Sequence, residues 1–196
     1  MLDRYFDVSQ PWPYVLFYVV TFFWVLEFIL FPSKFKSDDF KEKRTFRLIL
    51  LGIVLTVMIN NVTVLFAPFY LQNALGSTLR ILAMVTYPLG LALRYISTWT
   101  LGDYFTRDVA VSEDQTLISH GPYRFLRHPL YVGLFLLTVS VPLFFKNIPI
   151  LFLSMLYMGY VLNQRMRVEE AAMERILGDR YRAWKTKRYR FIPFIY

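Results

Sequence analysis

Gly121-Pro122-Tyr123-Arg124-Phe125-Leu126-Arg127-His128-Pro129-Leu130-Tyr131-Val132-Gly133 sets guanidinium, imidazole and phenol groups directly against the start of an apolar run. Pro129 suits the first turn of a helix, where its missing N–H removes no hydrogen bond. A helix is therefore expected to begin there, with His128 at its N-terminus. Free N–H groups and the positive end of the dipole favour an anion at such a point. Arg127 adds a fork of donors and His128 a titratable one, so a carboxylate or phosphate is the natural occupant. Arg124 and Arg127 also have a plainer reading, as basic charges flanking a membrane span.

The sequence around this stretch is 56% hydrophobic and 19% aromatic over 196 residues. That exceeds the roughly half expected of a soluble domain, and the excess lies in long runs, not in amphipathic stripes. Crossing the hydrocarbon core takes about 20 mostly apolar residues. Residues 11–31, 46–71 and 79–101 meet that length. Residues 130–145 and 148–163 are shorter runs parted by Lys146-Asn147, which reads as a tight helical hairpin. The expected fold is an all-α integral membrane protein with five transmembrane helices, the last two forming the hairpin. Trp12 and Tyr14 sit at one edge of the first run, where amphipathic rings favour the interface. Glu27 lies near its far end and is expected to reach headgroups. Asn60 and Asn61 should face protein, because unpaired amides in lipid are costly. Arg94 should either snorkel or line a polar cavity. Residues 32–47, 72–78 and 102–129 read as polar connectors, and residues 164–196 as a charged, amphipathic C-terminal helix. With no internal repeat and no low-complexity linker, residues 1–196 read as one domain. Its first part, 1–100, holds three spans, and 101–196 holds the chemistry-bearing half.

Basic residues orient this map. Arg4, Arg80 and Lys146 fall on one side of the membrane. Lys34, Lys36, Lys41, Lys43, Arg44, Arg47, Arg107, Arg124, Arg127 and the bases from Arg165 to Arg190 fall on the other. Lys and Arg prefer cytoplasmic loops, so the N-terminus is expected outside and the C-terminus in the cytoplasm. Residues 1–10 carry Asp3, Arg4 and Asp7, unlike a cleavable signal peptide. The net charge of +8 is thereby assigned to topology, and no nucleic-acid partner is expected. Cys is absent, which excludes disulfides and Cys-based metal sites. His120 and His128 are the two histidines, too few for a His-rich metal site.

A second polar stretch is Arg165-Met166-Arg167-Val168-Glu169-Glu170. Arg165 and Glu169 are spaced i,i+4, and Arg167 and Glu170 i,i+3, so each pair shares a helix face. A solvated, self-paired helix is one reading, worth only tenths of a kcal/mol per pair. The other follows from position, since this helix leaves the membrane on the same side as His128. A carboxylate there could bind a ribose or an ammonium, and a guanidinium an acidic substrate group. Residues 178–194 mix bases with aromatics. An interfacial helix with snorkelling Arg and buried Trp and Tyr is expected, in preference to a platform for stacked bases.

Four motifs in order resemble the isoprenylcysteine carboxyl methyltransferase family, within the integral-membrane methyltransferases that include phospholipid N-methyltransferases. They are Gly121-Pro122-Tyr123, Arg127-His128-Pro129-Leu130-Tyr131-Val132-Gly133, Arg165 with Glu169-Glu170, and Leu177-Gly178-Asp179-Arg180-Tyr181. The resemblance covers residues 101–196. It implies transfer of a methyl group from S-adenosylmethionine to a lipophilic membrane acceptor, with isoprenylcysteine carboxylate foremost. It further implies that the cofactor is held by Gln115, Thr116, Leu117, Ile118, Tyr123, His128, Pro129, Leu130, Tyr131, Glu169 and Glu170. Arg165 and Arg127 are implied for the substrate, and Arg165 and Glu169 as the catalytic pair. The active site would face the cytoplasm from a bacterial inner membrane or the endoplasmic reticulum. In two places the chain departs from the family. Gln115-Thr116-Leu117-Ile118 stands where His-Lys-Leu-Val is frequent, and Tyr104-Phe105 follows Leu101-Gly102 where a Trp is common.

Two alternatives stand beside this reading. Residues 189–196 resemble the ending of sterol C14-reductases, which would use NADPH. A non-enzymatic scaffold binding anionic lipids through its basic face is the other.

Overall fold

In hydrocarbon every backbone polar group must find its partner inside its own segment, which drives apolar runs into helices. The computed structural model describes residues 11–30, 40–63, 74–105 and 116–191, and among them every regular element is helical. Six α-helices follow in order: α1 (Trp12–Leu30), α2 (Phe40–Thr63), α3 (Ala74–Leu101), α4 (Pro129–Phe144), α5 (Ile148–Leu177) and α6 (Asp179–Lys185). Short 3-10 turns lie at Gly102–Tyr104 and Gly121–Arg124.

The helices extend beyond the apolar runs. α2 starts at Phe40 and carries Lys43, Arg44 and Arg47 in its first turns. α3 starts at Ala74 and takes in Gly76-Ser77-Thr78, expected as a turn. The largest departure is α5, whose 30 residues make a rod about 45 Å long. The charged segment from Gln164, expected as a helix emerging from the fifth span, is the second half of that rod. Gly178, at φ 54°, ends it in a conformation that suits glycine. The chain then turns into α6, only seven residues long. The expected C-terminal interfacial helix is thus confined to α6. Beyond it Tyr189 pairs with the 125–127 loop: Arg127 N donates to Tyr189 O at 2.8 Å, and Tyr189 N to Phe125 O at 2.9 Å.

α4 and α5 form a hairpin turned by Phe145-Lys146-Asn147, with Asn147 Oδ1 accepting from Ile150 N at 3.4 Å to cap α5. α3 and α4 come closest, because Gly90 meets Gly133. A Cβ on Gly133 would lie 2.8 Å from Gly90 O and 2.7 Å from Arg94 Cγ. Small residues allow such approach where no hydrophobic driving force separates helix from lipid.

Polarity is distributed from the inside out. Val15, Phe22, Met58, Trp99, Phe152 and Leu156 are exposed, while Glu27, Asn60, Arg94, His128 and Arg165 are buried. A soluble domain shows the reverse; a lipid surround explains it. Among the described residues one helix, α3, is long and apolar enough by itself to cross a membrane, and apolar segments of α1 and α4 are shorter.

One buried charge corrects the expectation for its position, and a second takes one of its two expected roles. Glu27 does not reach toward headgroups; its side chain is fully enclosed and paired with Arg94. Arg94 does not snorkel; with Tyr131 and Arg165 it borders an interior cleft. Its Nε donates to Glu27 Oε2 at 2.7 Å, Nη2 donates to Glu27 Oε1, and Nη1 donates to Leu130 O at 3.2 Å. Each charge is better neutralised by the other than by a long reach to water. Asn60 is buried, and the side chain of Asn61 lies outside the described residues.

Candidate active site

His128 is the N-cap of α4 and Pro129 its first residue, so the side chains at 128 and 131 share one face of the helix start. Their rings stack, with centroids 5.6 Å apart. This face meets α5 at Glu169 and Glu170. Glu170 Oε1 accepts from Arg127 Nη1 at 2.9 Å and from Arg190 Nε at 3.2 Å, and lies 3.0 Å from His128 Nε2. Glu169 Oε2 accepts from the Tyr131 hydroxyl at 2.8 Å and lies 3.9 Å from His128 Nδ1. The Tyr131 hydroxyl in turn accepts from Arg165 Nε at 3.3 Å, and Arg165 Nη1 donates to Thr45 Oγ1 of α2 at 3.3 Å. Both glutamates therefore engage α4, where sequence spacing alone suggested partners on α5.

The two carboxylates differ in company. Burial alone pushes the Glu170 carboxyl up. The hydrogen bond and charge of His128, with the charges of Arg127 and Arg190, outweigh it and hold the group below the usual carboxylate range. Glu170 is thus an ionised hub committed to three cationic or titratable neighbours. Glu169 is the more accessible of the two, with 27% of its side chain exposed against 15%. Burial, and next the Glu169 charge, raise the Tyr123 phenol well above its ordinary value. Burial, followed by the Glu170 and Glu169 charges, likewise raises Tyr181. These phenols stay protonated and present neutral ring faces.

Beside the network lies an open apolar cleft between α2, α3, α4 and α5. Phe46, Ile49, Ile53 and Leu134 line it, with Arg94, Tyr131 and Arg165 as its polar groups. Leu130 borders the cleft, and Pro129 is fully buried behind it.

The expected cofactor segment before Gly121 is held by its own contacts. Thr116 Oγ1 accepts from the Tyr104 hydroxyl at 3.3 Å, and Ile118 O accepts from Trp184 Nε1 at 3.1 Å. Leu117 is half-buried; Gln115 lies outside the described residues. Arg124 is exposed, in keeping with a flank charge.

Several contributors went unread in the sequence. Arg188 Nε donates to Tyr123 O at 2.7 Å and its guanidinium lies 4.4 Å from the Trp184 ring centroid. Arg190 Nη1 donates to Asn163 Oδ1 at 3.1 Å. The alternation of Arg and aromatics at 182–191 was the available signal, but it also fits a lipid interface. Thr45 carried no signal at all.

Residues 81–175 match the family model described as Isoprenylcysteine carboxyl methyltransferase (ICMT) family. Among curated proteins, a Protein-S-isoprenylcysteine O-methyltransferase of Schizosaccharomyces pombe is 30% identical over 65% of this chain and 55% of its own length. An uncharacterized protein, YpbQ, of Bacillus subtilis is 27% identical over 42% of this chain and 49% of its own length. The chain thus spans about half the length of these relatives. A solved structure of the eukaryotic intramembrane Ras methyltransferase ICMT superposes with a TM-score of 0.67 at 22% identity, over 96% of this chain and 69% of that one. The fold is therefore of that kind. The family resemblance is upheld by the family model, whose match ends before the Leu177–Tyr181 motif, and by the curated relatives. The solved structure supports the fold, and neither the reductase nor the scaffold alternative draws support from any of them.

Proposed function

We propose that this chain is an S-adenosylmethionine-dependent methyltransferase that esterifies the carboxylate of an isoprenylated cysteine or a similarly lipid-like acid. It does so from five spans, with the N-terminus outside and the active site facing the cytoplasm. A bacterial inner membrane or the endoplasmic reticulum would house it. One observation carries the reading. The line Glu169–Tyr131–Arg165 joins the accessible carboxylate to the apolar cleft without a break. A polar cofactor surface and an apolar cleft therefore share one phenol.

The residues present fit such a cofactor. Arg127 Nε is buried and has no partner among the described residues, so an amino-acid carboxylate beside the α4 N-terminus would satisfy it. Glu169 is placed to accept from ribose hydroxyls, and the neutral rings of Tyr123 and Tyr131 suit a cation. Gln115, Thr116, Leu117, Ile118, His128, Pro129 and Leu130 complete the proposed contacts. Glu170 positions Arg127 and His128. When bound, the cofactor supplies an electrophilic methyl on a cationic sulfur. The protein's own task is alignment, which can supply several kcal/mol of rate acceleration. An acceptor carboxylate is ionised at neutral pH, so no strong base is required. Arg165, buried in the wall of the cleft, orients it, while Phe46, Ile49 and Leu134 hold the lipid tail.

The test uses the detergent-purified full chain, with tritiated methyl donor and an S-farnesylated N-acetylcysteine. A base-labile tritiated ester should form, and Glu169→Ala should weaken donor binding in calorimetry by about 100-fold, the loss of two charge-assisted hydrogen bonds. Folded protein that ignores the donor and binds NADPH instead would overturn the reading and restore the reductase.

A further inference from the structure

Tyr181, Trp184 and Arg188 follow one another at intervals of three and four residues, so they share one face of α6 and of the turn that continues it. The Tyr181 and Trp184 rings stack, with centroids 5.7 Å apart and planes at 24°. The Arg188 guanidinium packs on the same indole. Tyr181 is buried. After burial itself, the charges of Glu170 and Glu169 act on its phenol, which places the foot of this stack beside the α5 carboxylates.

The polar groups of the stack reach the chain that precedes α4. Trp184 Nε1 donates to Ile118 O and to Ser119 Oγ, each at 3.1 Å. Arg188 Nε donates to Tyr123 O at 2.7 Å, and its Nη1 closes the unit on Trp184 O at 2.7 Å. Residues 116–119 form no regular element, and among the described residues no main-chain hydrogen bond holds them. Side chains do that work. The Tyr104 hydroxyl reaches Thr116 Oγ1 over 3.3 Å in an exposed contact, so the half-buried indole gives the firmer hold. An irregular segment offers a ligand well-placed groups only when neighbouring side chains lock it in position.

We propose that Trp184 and Arg188 are positioning residues for the methyl donor, holding Ile118 and Tyr123 in register as two parts of one binding wall. The inference rests on the assignment of that wall to the cofactor. Trp184 and Arg188 act before the donor arrives: a segment already ordered spares the donor the cost of ordering it. Their effect therefore falls on donor affinity. A mere anchor for the end of the chain would act on stability, and on donor and acceptor alike.

Calorimetry of S-adenosylmethionine on the detergent-purified full chain tests the role, alongside KM for the donor and for S-farnesylated N-acetylcysteine. Trp184→Phe keeps a ring for Tyr181 and Arg188 to stack on and removes only the N–H. It should weaken donor binding about fivefold, the loss of one hydrogen bond, with Tm and the acceptor KM as in the wild type. Arg188→Ala should weaken the donor about 30-fold, the loss of a charged donor. Arg188→Lys, which keeps the charge and one donor, should fall between. Should Arg188→Ala fail to fold, Trp184→Phe and Arg188→Lys decide the matter. Wild-type donor affinity in Trp184→Phe and Arg188→Lys, or an acceptor KM that rises in step with the donor's, would overturn the positioning role alone. Folded wild-type protein that binds no donor would overturn the cofactor assignment, and this inference with it.

Discussion

Glu170 Oε1 serves Arg127, His128 and Arg190 at once, which makes it the residue on which the carboxylate network depends. Replacing it by Gln leaves two partly buried guanidiniums without their counter-ion and should cost about 2–3 kcal/mol, below the range for fully buried pairs because the site is partly wet. The pH dependence has a fixed sign. Glu170 has a folded-state pKa below its ordinary 4.5, so its contribution is complete above that value and is lost as pH falls through the folded one. Thermal unfolding of wild type and Glu170→Gln should therefore differ by a constant Tm gap near neutrality that closes only below about pH 4. A gap that closes well above pH 4.5 would refute Glu170 as the titrating member. The motif residues Arg127, His128, Tyr131, Glu169 and Glu170 were legible because their order and spacing resemble a family. What the sequence withheld was their partition, with Glu170 committed to cations and Glu169 left toward the opening. That depends on which face of α5 meets α4.

The α3–α4 crossing sets the geometry of the candidate site, since Arg94 reaches Leu130 O across it. A methyl group at Gly133 would lie 2.7 Å from Arg94 Cγ and 2.8 Å from Gly90 O. Backbone cannot yield as a flexible side chain can, so Gly133→Ala should destabilise by about 1–3 kcal/mol. Gly159 on α5 is the internal control, with nothing within 4 Å of an added Cβ. Gly159→Ala should be neutral or stabilising by about 0.5–1 kcal/mol through helix propensity alone. Detergent unfolding curves check both, and equal effects at the two glycines would refute the close crossing. Helix existence was readable from apolar runs, and the Lys146-Asn147 turn from its polar interruption. Helix ends were not, because α2, α3 and α5 continue into polar sequence. Arg165 is tolerated there because it is buried against Thr45 of α2, while Arg44 and Arg47 lie exposed on the polar end of α2.

Across the whole molecule, α1 and α3 are joined by the Glu27–Arg94 pair, 67 residues apart in sequence, and Arg94 reaches on to Leu130 O in the chemistry-bearing half. Neither partner named the other beforehand: each is a lone charge in an apolar run, and the pairing follows only from the α1–α3 contact. The pair has two separable consequences. It secures α1 to the bundle, and it points Arg94 at the cleft, where the guanidinium lies with Tyr131 and Arg165. Glu27→Ala leaves a buried cation uncompensated and should cost about 3 kcal/mol. Exchanging both partners for apolar groups removes that charge, so Glu27→Ala combined with Arg94→Met should recover most of the loss. On the proposed function the double variant should still transfer methyl groups poorly, because the cleft has lost one of its two guanidiniums. Unfolding midpoints and tritiated-ester formation, measured on the same preparations, separate the two effects. Recovery of both stability and activity would reduce the pair to a fastening between helices, whereas stability without activity would make Arg94 part of the acceptor's surroundings.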